Sequence, residues 1–214
     1  MSATIKEGSE RTICNQDKQR SPLIYNSSTD KLYRLKNDGI TDSFMTVDYS
    51  HHEIHSGSHY FNMFGVDVPA NDFLDLRLTT PDTAKWLHFV GIYVTESEFH
   101  FGLYEGVTVN AGDSVALSAV NSNRNSTNTS GLTHLSYILN VDLAAANVDT
   151  PIAAATQLAT VFTGSGLKIG GGFGRDSEIV LKQNTSYTFR FENQSASTKW
   201  VTWEFEWYEH TDKT

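Results

Sequence analysis

The amino-acid sequence predicts an all-β fold: an antiparallel sandwich or jelly-roll-like domain behind an extended N-terminal arm. Three observations predict it. Apolar residues recur with period two from about residue 31 onward, and that period sends alternate side chains to opposite faces of a strand. The recurring residues are largely aromatic and β-branched, the types that suit a pleated, half-buried surface. Clusters of Gly, Pro, Asn and Asp punctuate the periodic stretches at the short spacing of a many-stranded β domain.

Residues 1–30 are rich in Ser, Asn, Gln, Lys and Asp without hydrophobic periodicity, and read as an arm that is flexible or ordered by a partner. Residues 31–214 read as the β-sandwich domain. Within it, HYFNMFGVDV sets Tyr60, Phe64, Val66 and Val68 against His59 and Asp67. FLDLRLT sets Leu74, Leu76 and Leu78 against Asp75 and Arg77. EFHFGLY lines up Phe99, Phe101 and Leu103, and HLSYILNV lines up Leu135, Tyr137, Leu139 and Val141. YTFRF opposes Tyr187, Phe189 and Phe191 to Thr188 and Arg190, and the closing strand opposes Val201, Trp203, Phe205 and Trp207 to Thr202, Glu204 and Glu206. Each is expected to be apolar inward and polar outward. KWLHFVGIYV is apolar on both faces, as a central strand covered on both sides would be. PIAAATQLA, residues 151–159, is short and Ala-rich and begins with Pro, which predicts the one helical piece. The polar segment 121–131 (NSNRNSTNTSG) and the glycine-rich segment 164–174 (GSGLKIGGGFG) read as long loops, suited to functional surface or to an interface that orders on assembly.

Charge and cysteine content narrow the function classes. The chain has 214 residues and a formal net charge of −9. A nucleic-acid binder needs a basic footprint, so none is expected. The charge is uneven: residues 1–36 hold seven basic and four acidic side chains, which leaves the remainder at −12. A mildly basic arm on an acidic body suits an acidic protein surface, or merely solubilises a tail. No apolar run approaches the roughly 20 residues of a membrane span. The opening MSATIKEGSERTIC lacks the apolar stretch of a secretory signal, so the chain is expected to act without classical export. Cys14 is the only cysteine, which excludes an internal disulfide framework. The Asn-x-Ser/Thr triplets then read as products of polar loops rather than as glycosylation sites.

Residues with catalytic potential do not assemble into a motif. His51, His52, His55 and His59 fall within HHEIHSGSH beside Glu53. On a strand His51, Glu53, His55 and His59 would share a face, the raw material of a cupin-like metal centre. Such a centre needs a distant further histidine, and His88, His100 and His134 lie in no matching motif. Ser56, Gly57 and Ser58 are expected to break the strand, and the cluster reads as a histidine-rich turn or a subunit contact. The glycine-rich segment has neither a Gly-Lys-Ser/Thr ending nor GxGxxG spacing, and no GxSxG elbow occurs. Glu96/Glu98 and Glu204/Glu206 alternate onto exposed faces, as solvated carboxylates do. Trp203 and Trp207 fall on the apolar face, while Trp86, Trp200 and Tyr208 remain candidates for sugar or subunit contact. The sequence therefore predicts no catalytic residue, no cofactor and no metal.

Several segments carry a resemblance. VDYSHHEIHSGSHY (47–60), PDTAKWLH (81–88), NSNRNSTNTSG (121–131), EIVLKQNTSY (178–187) and WYEHTDK (207–213) resemble a group of tailed-bacteriophage virion proteins. The resemblance covers most of residues 45–214 and not the arm. It implies a structural virion protein, assembled in the host cytoplasm, and most readily a capsid decoration protein on the outer head surface. Its implied partners are the major capsid protein or other virion proteins and further copies of itself, often as a trimer. It implies no catalytic residues. Two alternatives stand beside it: a head-fibre, tail or receptor-binding component that contacts host glycans, and a cupin-like metal-dependent enzyme using His51, His55 and His59.

Overall fold

In a computed structural model the described residues are 23–26, 31–34, 49–107, 114–140, 155–164, 169–173 and 178–211. Cys14 and the arm up to residue 22 lie outside them, as do residues 141–154. The chain divides into two compact units, residues 1–48 and 49–214. In the first, β1 (Leu23–Asn26) pairs antiparallel with β2 (Lys31–Arg34), a hairpin that straddles the expected boundary at residue 30.

The second unit opens with α1 (Tyr49–Ser56). There follow β3 (His59–Val68), β4 (Phe73–Thr79), β5 (Lys85–Thr95) and β6 (Phe99–Glu105). Next come the short β7 (Val115–Ala116) and β8 (Val120–Asn121), then β9 (His134–Asn140) and β10 (Thr156–Phe162). The chain ends through β11 (Ile169–Phe173), β12 (Ile179–Leu181), β13 (Ser186–Asn193) and β14 (Lys199–Thr211). They build two six-stranded sheets. One runs β10-β6-β13-β4-β9-β7; the other runs β11-β5-β14-β3-β8, with β12 also paired to β5. Every pairing among the described residues of these sheets is antiparallel. The all-β sandwich read from the sequence is the observed fold.

The inner faces follow the alternation. Leu74, Leu76, Leu78, Phe101, Leu103, Tyr187, Phe189 and Phe191 of the first sheet meet Phe89, Tyr93, Val201, Trp203, Phe205 and Trp207 of the second, all buried in one cluster. Trp203 is its hub, with the Phe191 ring 4.6 Å away edge-on, Phe189 at 5.4 Å and Phe101 at 5.6 Å. Gly91 makes room for it: a Cβ there would come within 2.9 Å of the indole.

Four expectations are corrected. Residues 156–159 belong to β10 and not to a helix, because pairing with β6 from Glu105 to His100 overrides alanine's helical preference. The glycine-rich segment is in part a strand, since 169–173 pair with β5; Gly171 stays bare because the Tyr93 hydroxyl lies 2.7 Å from where its Cβ would be. The histidine segment is helical, not extended. Gly57 adopts φ 75° and ends α1 in a Schellman cap, with Ser58 N–H donating to Glu53 O and Gly57 N–H to Ile54 O at 3.1 Å each. Finally, β4 is buried on both faces, and the outward Asp75 and Arg77 are fully inaccessible.

Candidate functional site

The outer face of the β5–β14–β3 sheet carries the densest set of accessible chemical groups. Parity sends Phe89, Trp203 and Trp207 inward, and with them Trp86, His88, Val90, Ile92, Thr202, Glu204, Glu206, Tyr208 and His210 outward. The register sets Tyr208 beside His88 on one side and His59 on the other, with Val180 of β12 beyond His88. Glu178, just before β12, reaches back over this row. Its carboxylate accepts from the Tyr208 hydroxyl at 2.8 and 2.9 Å and lies 2.8 Å from His88 Nδ1. The His88 and Tyr208 rings stack at 4.5 Å, and His210 adds a third ring 4.7 Å from His88. Below them Trp86, Val180, Leu181, Lys182 and Gln183 line a shallow recess of about 360 Å³. Further up the face, Ile92 and Met63 flank Glu204 and are more than half exposed. The expected double-sided cover of β5 therefore holds at Val90 but not at Trp86 or Ile92.

The four clustered histidines are separated. His51 and His55 share a face of α1, with their Nε2 atoms 3.0 Å apart. Glu53 is buried and accepts from the Ser58 hydroxyl. His59 starts β3, is buried, and meets Ser122 Oγ through Nδ1 at 2.7 Å. The strand parity that would gather them toward one metal ion is absent because a helix and its cap intervene. His88 pairs with His210, a residue outside every sequence-level candidate set; only the β5–β14 register brings the two together.

The 121–131 segment is held to the body rather than projecting freely. The Asn121 side chain donates to Gly57 O at 2.9 Å and to Asn128 O at 3.1 Å, and Asn123 Nδ2 donates to His55 O at 3.1 Å. At its far end the buried Glu209 accepts from Ser130 Oγ at 2.6 Å, from Gly131 N–H at 2.9 Å and from Trp207 Nε1 at 3.2 Å. Burial, together with the Glu209 charge, pushes the nearby Tyr60 hydroxyl up to about 12.

The opposite outer face, on β4, β6 and β13, is closed. Arg190 grips Asp75 in a fork, Nε to Oδ1 and Nη2 to Oδ2 at 2.7 Å each, and its guanidinium lies 3.8 Å from the Phe73 ring centroid. Arg77 Nη2 is 3.8 Å from the same carboxylate. Burial pushes the Asp75 carboxyl above its ordinary range, against the pull of both arginines. Burial lowers Arg190, but Asp75, with Glu192 and Tyr104, together hold it above its usual value.

No protein-family model, no curated protein and no solved structure matches this chain.

Proposed function

We propose that this protein is a non-enzymatic structural component of a tailed-bacteriophage virion, most specifically a capsid decoration protein on the outer head surface. One observation carries the reading. Strand β10, TQLATVF, ends its sheet among the described residues, holds no charge or proline, and exposes Leu158, Val161 and Phe162; its one register shift, between Gln157 and Ala159, leaves the run Ala159–Phe162 regularly paired with β6. Natural edge strands are blunted by charges, prolines or bulges unless something covers them. A further copy in a closed ring, or the capsid lattice, is the cover this reading supplies.

The connectivity supports it. Consecutive strands β3/β4, β5/β6, β10/β11 and β13/β14 each cross from one sheet to the other. Read without the short β7, β8, β12 and the added β9, the order β3-β14-β5-β11 over β4-β13-β6-β10 supports a jelly-roll reading, an architecture used by viral capsid and lectin domains. The resemblance of the sequence segments points the same way. Binding energy would come from many modest contacts across shell subunits.

The exposed Trp86 at the rim of the recess, with Lys182 and Gln183 beside it, favours a second reading: a fibre, tail or receptor-binding component that stacks a sugar ring there. Copy number separates the two. Quantitative mass spectrometry of purified virions should find hundreds of copies for a head decorator; a handful per particle would favour the second reading, and none would overturn both. In solution the first reading predicts a multiple of the 23.8 kDa chain mass by light scattering. It also predicts that Val161→Lys breaks the assembly without unfolding it.

A further inference from the structure

On the outer face of β5 and β14 two imidazoles meet at their Nε2 atoms. His88 Nε2 and His210 Nε2 are 2.8 Å apart, and the ring planes are tilted by 33°. The other nitrogen of each ring is committed. His88 Nδ1 lies 2.8 Å from Glu178 Oε1, and a carboxylate oxygen accepts, so Nδ1 carries a hydrogen. The Tyr208 hydroxyl, 3.0 Å from the same Nδ1, turns its own hydrogen to Glu178. His210 Nδ1 lies 2.8 Å from the backbone carbonyl of Thr211, which also only accepts, so this Nδ1 is protonated too. With both Nδ1 positions filled, two neutral rings would bring their Nε2 lone pairs together across 2.8 Å. That arrangement is repulsive unless a cation lies between them.

We propose that His88 and His210 form a two-imidazole cation site, which holds one shared proton in the metal-free protein and exchanges it for a divalent transition-metal ion, Cu(II) foremost. The exchange balances. One metal ion enters, the proton between the Nε2 atoms leaves to solvent, and both Nδ1–H groups stay on Glu178 and Thr211. Metal–imidazole bonds of about 2.0–2.1 Å over this separation give an N–metal–N angle of roughly 86°. That is the cis angle of tetragonal Cu(II) or Ni(II), well below the tetrahedral angle zinc prefers. The outer partners are those of metal-bound histidines, a carboxylate on one ring and a backbone carbonyl on the other, which fix the tautomer. The rings stand on adjacent strands of a central sheet and are braced by Tyr208. No set of three His, Cys, Asp or Glu side chains converges among the described residues, so the proposal rests on the two imidazoles. His51 and His55 offer a similar nitrogen separation, 3.0 Å, on an exposed helix and serve as the internal comparison.

The test is titration of Cu(II) into the full-length, tag-free protein, followed by calorimetry in two buffers of different ionisation enthalpy and by electron paramagnetic resonance. The expected result is one ion bound first, with two imidazole nitrogens in the spectrum and about one proton released per ion. His210→Ala should weaken that first ion at least tenfold and leave one nitrogen signal. Glu178→Gln should weaken it about 10- to 100-fold while keeping both nitrogens. His51→Ala with His55→Ala should leave it unchanged. Circular dichroism checks that each variant is folded, and His210 carries the test if replacing the part-buried His88 with Ala unfolds the chain. Wild-type affinity in folded His210→Ala, or loss of the two-nitrogen signal in the His51/His55 variant alone, overturns the proposal.

Discussion

The two outer faces of the sandwich invert what their residues suggest. On β4 and β13 the outward positions read Asp75, Arg77, Thr188 and Arg190, polar enough for solvent, yet all four are buried. On β5 and β3 the outward positions include Trp86, Ile92 and Met63, apolar enough for a core, yet they are 43%, 53% and 57% exposed. Alternation therefore reports which residues share a face and says little about whether that face is covered. A covered polar face must satisfy its charges internally, which the Asp75–Arg190 fork does. An uncovered apolar face has no such internal remedy, and Ile92 and Met63 beside Glu204 are left to water in the single chain.

The largest expected effect breaks the closed face. Asp75→Ala leaves Arg190 and Arg77 buried without their shared anion, and should cost about 3–5 kcal/mol in denaturant unfolding. A cost near zero would mean that water reaches this face. Next comes the end of the sandwich, where Glu209 takes hydrogen bonds from Ser130, Gly131 and Trp207. Glu209→Ala strands buried donors and should cost about 1–3 kcal/mol. It should also expose residues 121–131 to limited proteolysis, which wild type should resist.

Much of the fold was legible because the inner faces obey period two: Leu74/Leu76/Leu78, Phe189/Phe191 and Trp203/Trp207 are all core. Where reading failed, a longer-range partner decided. PIAAATQLA looks helical in isolation, but its latter half pairs with β6 some fifty residues earlier. HHEIHSGSH looks extended through its histidine parity; the Ser56–Gly57 step that seemed to break a strand is a helix cap. The polar 121–131 segment looks like a free loop until Glu209, nearly eighty residues away, is seen to hold it. The His88–His210 pair had no signal in sequence, because its members come from strands whose register no local pattern sets.

A smaller effect concerns the rim of the closed sheet. The Lys182 ammonium, 2.6 Å from Glu105, holds this carboxyl below its ordinary range despite partial burial, and the Tyr187 hydroxyl assists at 2.9 Å. A lowered folded value means the stabilisation is present above the unfolded carboxylate range and is lost as pH falls through the folded one. Lys182 is largely exposed, so Glu105→Gln should cost about 1 kcal/mol or less at neutral pH. The gap to wild type should close on acidification in urea unfolding. Asp75 runs the other way: its carboxyl is raised, so its contribution is greatest at low pH and declines as pH rises through its folded value. A gap for Glu105→Gln that widened toward acid would contradict the assigned direction.

The smallest effect on stability belongs to the open face, and there a null result in one assay must accompany a change in another. Ile92 and Met63 sit on β5 and β3 either side of Glu204 of β14, one residue from each of three adjacent strands. Both side chains already meet water over more than half their surface, so replacing both with Ser removes little burial from the free chain. The unfolding free energy of the monomer should move by about 0.5 kcal/mol or less. If the face is covered in the working assembly, the same double variant should lower occupancy on the particle, or the oligomer mass in light scattering, because each lost apolar contact is repeated in every copy. If stability instead falls by more than about 1 kcal/mol in a chain that stays monomeric, the face is packed within one subunit, like the Asp75 face, and the contrast between them fails. If neither quantity moves, the contact surface lies elsewhere, and β10 becomes the strip to mutate.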